Sequence, residues 1–305
     1  MDPVKKELHA CGKLLVTGEY LILRGARGLA LPTSKGQHFK ASSRQEKGFS
    51  WTSLDHLGKN WFKADLNANF DFIGSPSNAD IGQRLQSILK AAISLNDDIL
   101  HSKGGFDIET RLEFPRDWGL GSSSTLIYAL ASWFNVDALE LSERSLGGSG
   151  YDVAVSMHDT PIIYQRGTHG IEHKSIAFNP TFQDNLFFIH LGQKQDSRKE
   201  VADFKSIEVT PSQITQMDAI TNEVATTNKL ERFEELIKLH EVLMEGILGR
   251  ESASSRFCEY KAGVVKYLGG WGGDFLLATG AQGDLEFFRS HGLKIIIPYA
   301  DMIKQ

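Results

Sequence analysis

The segment from Phe114 to Thr125, FPRDWGLGSSST, combines two glycines with three consecutive serines. Residues 105–114 alternate between apolar and polar types, which predicts a half-buried strand before this segment. Apolar residues then recur at helical spacing from Leu126 onwards. The glycines and hydroxyls therefore join a strand to a helix N-terminus, where free N–H groups and the helix dipole favour a phosphate. The alternative is that Ser122 or Ser123 only caps the helix.

The spacing of this loop excludes two common nucleotide motifs. No Gly-Lys-Ser/Thr follows, so the loop is not a Walker loop. The G-x-G-x-x-G spacing of dinucleotide-binding folds is also missing.

Three other loops carry residue types that could contact an anion or a hydroxyl substrate. The first holds Gly12-Lys13 and Gly18-Glu19-Tyr20, although such a lysine is often only a solvated strand end. The second, residues 147–152, is rich in glycine and ends in Asp152, which could instead cap a helix. The third has four glycines in the five positions 269–273. Its alternative interpretation is a tight turn between a helix end and a strand.

Composition limits the class of protein. The chain has 305 residues, a net charge of −5 and 41% hydrophobic residues, which is typical of a globular protein of one or two domains. No basic block indicates a nucleic-acid or membrane-surface partner. Cys11 and Cys258 are too far apart in sequence for a metal motif, and a disulfide framework is not expected. The charged first ten residues argue against a secretory signal, and no apolar run is long enough for a membrane span.

The hydrophobic pattern predicts the elements that position these loops. Short strands are expected on either side of the 17–20 turn, at Leu14–Val16 and Leu21–Leu23, and elsewhere at 37–43, 48–54, 61–66, 162–164, 186–191, 274–279 and 293–299. Helices are expected at 78–95, 211–226 and 230–248, with a short one near 282–290. His240 lies on the apolar face of the third helix and is interpreted as a satisfied core histidine. Strands and helices mix without regular βαβ alternation, which favours an α+β fold.

The order of the loops along the chain resembles the GHMP small-molecule kinases. Gly-Lys-x-x-x-x-Gly-Glu, Pro-x-x-x-Gly-Leu-Gly-Ser-Ser, Gly-Ser-Gly-x-Asp and a final glycine-rich turn follow one another between about residues 11 and 280. The first of these is most similar to the mevalonate and phosphomevalonate kinase branch, and Gly148–Ala154 resembles a bacterial subgroup with a Gly-Tyr-Asp-Ile-Ala motif. The resemblance implies a two-domain fold. A ribosomal S5 domain 2-like N-terminal domain would span 1–178, and a ferredoxin-like C-terminal domain 179–305.

The resemblance also implies roles for individual residues. Asp152 would be the catalytic base and Lys13 would lie beside it, favouring the ionised carboxylate. ATP and Mg²⁺ are the implied cofactors. The residues implied to bind the nucleotide are Gly119, Leu120, Gly121, Ser122, Ser123, Ser124, Gly270 and Gly272. Those implied to contact the acceptor are Glu19, Tyr20, Ser149, Gly150, Ser197 and Arg198.

Two positions depart from the family pattern. Many mevalonate kinases place a Mg²⁺-binding Glu where this chain has Leu141. Glu143 is close by and, with Ser123, is the predicted metal ligand; loss of the ligand is the alternative. Trp271 stands in the last loop where the family usually has a small residue.

These observations predict an ATP-dependent kinase that acts on a small, anionic metabolite, with mevalonate or phosphomevalonate as the first candidates. The alternatives are a nucleotide- or metabolite-binding protein without catalysis and a diphosphomevalonate decarboxylase-like lyase. The expected partner is a small-molecule acceptor, with neither nucleic acid nor membrane. The chain is expected to be a cytoplasmic monomer or homodimer.

Overall fold

The computed structural model describes residues 5–101, 104–167, 170–193 and 197–305. The strands are β1 (Lys5–Thr17), β2 (Gly28–Arg44), β3 (Phe49–Leu54), β4 (Asn60–Leu66), β5 (Gly105–Leu112), β6 (Ile162–Gly167), β7 (Gly170–Ser175), β8 (Leu186–His190), β9 (Val265–Leu268), β10 (Phe275–Thr279) and β11 (Ile296–Pro298). The α-helices are α1 (Ala79–Leu95), α2 (Ser122–Phe134), α3 (Ala138–Ser145), α4 (Tyr151–His158), α5 (Ser197–Phe204), α6 (Pro211–Val224), α7 (Leu230–Leu248), α8 (Ala253–Arg256), α9 (Glu286–Ser290) and α10 (Tyr299–Met302). This mixture of helices and strands confirms the predicted α+β class.

The chain divides into two compact units. The first comprises Met1–Gly12, Lys35–Arg116 and Leu120–Asp159. Its strands follow the order β4-β3-β5-β2, with β1 paired to β2. β3 runs parallel to β5, while β2 runs antiparallel to β5. The helices α1 to α4 belong to this unit and pack against one another.

The core of the first unit follows from the alternation seen in the sequence. β5 buries Phe106, Ile108, Thr110 and Leu112 and exposes the residues between them, as predicted. α1 buries Leu85, Ile88, Leu89 and Ala92, and these side chains join the same apolar cluster. Its N-cap is Asn78, whose side chain accepts a hydrogen bond from the N–H of Ile81 at 3.1 Å. Burial of each large aliphatic side chain contributes about 1.5–3 kcal/mol, so this face anchors the unit.

The second unit comprises Lys13–Ser34, Asp117–Gly119 and Thr160–Gln305. It contains an antiparallel sheet with the order β11-β8-β10-β9. Every residue of β8 and β10 is buried. In the same unit, β6 pairs with β7 and with the start of β2. The predicted domain boundary after residue 178 stays a prediction.

One predicted strand is wrong. Leu21–Leu23 do not extend the sheet but form a 3₁₀ turn, Leu21–Arg24. Tyr20 adopts a positive φ of 62°, which turns the chain out of the extended conformation. The N–H of Leu23 then bonds to the carbonyl of Tyr20 at 2.9 Å. Leu21 and Ile22 are buried without pairing in a sheet, and burial alone does not distinguish a strand from a short helix.

Within the described part of the chain, neither the buried Cys11 nor the exposed Cys258 forms a disulfide bond. Among the described residues, no helix has both the length and the apolar character required to cross a lipid bilayer.

Candidate active site

The N-terminus of α2 has the features of an anion site. Its N-cap is Gly121, which has a φ of 92° and provides no side-chain cap. The serine-cap interpretation is therefore wrong. Ser124 donates its hydroxyl to the carbonyl of Gly121 at 2.7 Å, whereas Ser123 is exposed. The first-turn N–H groups of a helix have no intrahelical acceptors, so this uncapped end favours an anion.

Asp152 lies in the first turn of α4 and does not cap it. The N-cap is Gly150, and Asp152 is the second helical residue. Its side chain is half-buried, and its Oδ1 accepts a hydrogen bond from the N–H of Val153 at 3.1 Å. The alternative that Asp152 only caps a helix is thus wrong. A carboxylate in this first turn is stabilised by the helix dipole.

α4 is held against the part of β1 that belongs to the first unit. Ser156 donates its hydroxyl to the carbonyl of Cys11 at 3.0 Å, and the Cys11 thiol lies 3.7 Å from the carbonyl of Val155. α4 also packs against α2. The first unit therefore holds the helix that carries Asp152 on two sides.

Within the second unit, Lys13 contacts the start of the phosphate-type loop. Its Nζ donates to the carbonyl of Gly119 at 3.0 Å, across 106 positions of sequence. Gly119 has a φ of 66°, which disfavours any residue with a Cβ. The first two motifs recognised in the sequence therefore meet in space.

The last glycine-rich turn reaches the same place. A Cβ built on Gly119 would lie 2.5 Å from the Cγ of Asp274. A Cβ on Gly269 would lie 2.9 Å from the Oδ2 of that carboxylate. Asp274 itself is buried and has a φ of 54°. The absence of side chains at Gly119 and Gly269 thus leaves space for this carboxylate, and three of the four motifs converge in this unit.

Trp271 has a structural explanation. Its backbone N–H donates to the hydroxyl of Tyr20 at 2.7 Å, and its indole Nε1 donates to the carbonyl of Glu251 at 2.8 Å. The side chain is buried in the apolar cluster of the second unit. Trp271 therefore fixes the turn within the second unit, which explains why a large residue stands among the glycines.

Glu19 and Tyr20 are engaged by protein groups. Glu19 is 3% exposed and forms an ion pair with Lys266, while its Oε2 lies 3.0 Å from the Nε2 of His240. The Tyr20 hydroxyl donates to Glu200 at 2.7 Å, and burial together with Glu200 raises the pKa of Tyr20. Contact of Glu19 and Tyr20 with an acceptor stays a prediction, but the partners seen in this unit are protein groups.

A buried charged cluster surrounds Glu19, and no pattern in the sequence predicted it. Its members are Glu19, Lys266, His240 and Glu241, all of them nearly or fully buried. Burial would raise the pKa of Glu19, but Lys266 and His240 lower it below its usual value. Burial and Lys266 lower the pKa of His240 to about 4, and burial raises that of Glu241 to about 7. The cluster thus centres on one ion pair, with a neutral imidazole beside it.

His240 is a core residue, as expected, but it is not fully satisfied. Its Nδ1 has no hydrogen-bond partner, and neither has the Oε1 of Glu241, 3.9 Å away. The other Glu241 oxygen accepts a hydrogen bond from the N–H of Ala253 at 2.9 Å. A lone histidine on an apolar helix face carries no signal of Glu19 or Lys266, because Glu19 follows β1 and Lys266 lies on β9.

The remaining predicted residues lie in different surroundings. Ser149 is half-buried and directly precedes the N-cap Gly150. Ser197 and Arg198 begin α5, but their side chains lie outside the described residues. Glu143 is exposed on α3 and is not part of any described group of three potential metal ligands. The acceptor and metal roles of these residues stay predictions.

Neither a family model nor a curated protein matches this sequence. Solved structures do match. Methanococcus jannaschii mevalonate kinase aligns with a TM-score of 0.69 and 16% identity, over 95% of this chain and 96% of that one. Streptococcus pneumoniae phosphomevalonate kinase, in complex with phosphomevalonate and AMPPNP, aligns with a TM-score of 0.68 and 16% identity, over 97% and 96%.

Lactococcus lactis galactokinase complexed with galactose aligns with a TM-score of 0.64 and 13% identity, over 94% of this chain and 88% of that one. The chain has the fold of the GHMP kinases. This confirms the resemblance at the level of fold, over nearly the whole chain. GHMP kinases with different acceptors share the fold, so the acceptor must be argued from the side chains of this chain.

Proposed function

We propose that this chain is an ATP-dependent phosphotransferase acting on a small, anionic metabolite. The observation that carries the proposal is the 3.0 Å contact between the Lys13 ammonium and the Gly119 carbonyl. It joins two loops that the sequence identified separately as able to contact an anion. The GHMP kinase fold supports the same conclusion, since one neighbour is a complex with an ATP analogue.

The uncapped first turn of α2 would bind the phosphates of ATP. Its N–H groups are available, and Ser123 is exposed beside them. The proposed nucleotide residues are Gly119, Leu120, Gly121, Ser122, Ser123, Ser124, Gly270 and Gly272. Mg²⁺ would neutralise phosphate charge during transfer, with Ser123 as a ligand and Glu143 as the acidic candidate. The serine hydroxyls and the dipole of α2 suit the phosphates of ATP.

Asp152 would accept the proton of the acceptor group as that group attacks the γ-phosphorus of ATP. Its half-buried side chain lies in the first turn of α4. Lys13 would contribute positive charge at the transferred phosphoryl group. Phosphoryl transfer depends mainly on such positioning and charge neutralisation.

Mevalonate and phosphomevalonate are the first acceptors to test, because kinases of both are among the structural neighbours. Glu19, Tyr20, Ser149, Gly150, Ser197 and Arg198 are the proposed acceptor contacts. Two cysteines that form no disulfide bond among the described residues support a reducing compartment such as the cytoplasm. The protein would act as a monomer or homodimer and would need neither nucleic acid nor a membrane.

The test is ATP turnover measured with a panel of mevalonate, phosphomevalonate and sugar acceptors. We expect ADP and a phosphorylated product with at least one of them. Asp152→Asn should lower kcat by about 10²–10⁴-fold. Asp80→Asn is the matched control, since Asp80 is also the second residue of its helix but is exposed. ATP binding without turnover would indicate a binding protein, and release of CO₂ would indicate a lyase.

A further inference from the structure

Two histidines and a glutamate from different strands meet in the first unit. His9 lies on β1, His38 on β2, and Glu113 directly follows β5. The Nε2 of His9 is 2.8 Å from one carboxylate oxygen of Glu113, and the Nε2 of His38 is 2.8 Å from the other. The two ring centres are 4.8 Å apart. One carboxylate is thus flanked by an imidazole on each side.

The backbone of Gly36 positions this group. Its N–H donates to the Oε2 of Glu113 at 2.8 Å, and its carbonyl accepts the N–H of Glu113 at 3.0 Å. A Cβ on Gly36 would lie 2.7 Å from the Nε2 of His9 and 2.1 Å from the carbonyl of Ala10. The missing side chain therefore makes room for the His9 ring and lets the backbone orient the carboxylate.

The chemistry of the three groups suits a transition metal. Their ligand atoms all lie within 4.8 Å of one another, and they form the one such group found in the described part of the chain. Ligand atoms about 2.0–2.2 Å from a tetrahedral zinc ion lie about 3.4 Å from each other. This separation falls between the 2.8 Å nitrogen–oxygen distances here and the 4.8 Å limit of the group. Imidazole nitrogen favours zinc-type ions over Mg²⁺ or Ca²⁺.

The group is also accessible to solvent. The side chains of His9, His38 and Glu113 are 30%, 53% and 34% exposed, which leaves solvent access for an ion and its water ligands.

We propose that His9, His38 and Glu113 form a zinc-type divalent metal site that links β1, β2 and the end of β5. None of these residues belongs to the proposed phosphoryl-transfer site. The bound ion would stabilise the folded state by mass action, because the three ligands are far apart in sequence and are brought together by folding.

The test uses the untagged full chain, freed of metal with a chelator and titrated with Co²⁺ as a spectroscopic probe. We expect one equivalent of Co²⁺ to give visible absorption bands that Zn²⁺ abolishes, and Zn²⁺ to raise the Tm. His38→Ala should lower the affinity for Co²⁺ at least about tenfold and remove the Zn²⁺-dependent rise in Tm.

His101→Ala is the matched control. His101 is 73% exposed and lies 3.7 Å from Asp97, so it is a histidine–carboxylate pair without a second histidine. The control should bind Co²⁺ like the wild type. The proposal is overturned if the wild type gives no bands, or if His38→Ala binds as tightly as the wild type. If the three residues form only a hydrogen-bonded His–Glu–His cluster, the wild type will give no Co²⁺ bands. Neither readout depends on ATP turnover.

Discussion

Replacement of Glu241 by Gln should change how stability depends on pH. The Glu241 side chain is buried on α7, and burial raises its pKa from 4.5 to about 7. The folded state thus favours the protonated carboxyl. This contribution to stability is present below the ordinary pKa and is lost as the pH rises through about 7. Gln keeps the shape of the neutral carboxyl and cannot ionise.

The magnitude follows from the two pKa values. The ordinary pKa of 4.5 and the folded pKa of about 7 differ by about 2.5, which lowers the free energy of unfolding by about 3.4 kcal/mol once Glu241 is ionised in both states. Between about pH 5 and about pH 8, the wild type should lose about 2.5 kcal/mol of unfolding free energy relative to Glu241→Gln. His240 acts in the opposite direction, because its folded pKa of about 4 costs stability as the pH falls below 6.5. The difference between variant and wild type isolates Glu241 from that effect.

Urea unfolding of both proteins at a series of pH values measures this difference. Glu245→Gln is the control, since Glu245 lies one turn further along α7, is half-buried and bonds to Ser255. It should follow the wild-type pH dependence. Parallel curves for Glu241→Gln and the wild type would refute the reasoning, because they would mean that Glu241 titrates alike in the folded and unfolded states.

Three other predictions concern the same unit and the catalytic proposal. Gly119→Ala should lower the Tm more than Gly147→Ala. Both glycines have a positive φ, but only a Cβ on Gly119 would meet a carboxylate. Equal decreases in Tm would contradict this. Lys266→Met should lower the free energy of unfolding in urea by about 3–5 kcal/mol, because Glu19 stays buried without its cation. Adding Glu19→Gln to this variant should restore part of that free energy. Asp152→Asn should abolish most turnover at an unchanged Tm; a lowered Tm would mean a structural role.

Local patterns predicted many elements correctly. α1 begins after its Asn78 cap, and α7 spans Leu230–Leu248, the predicted range. β5 alternates between buried and exposed side chains as expected, because adjacent residues of a strand point to opposite faces of the sheet. The Leu21–Leu23 segment was misassigned because its conformation is decided by the positive φ at Tyr20, which the apolar pattern does not reveal.

The sequence by itself determined the α+β class, the four loops and their order, because glycine, hydroxyl and charged residues at short spacing carry that information locally. Only the tertiary structure showed that Lys13 reaches Gly119, that Lys266 and His240 surround Glu19, and that His9 and His38 share Glu113. These partners are far apart along the chain. Their meeting depends on strand register and packing, which no local pattern of residues specifies.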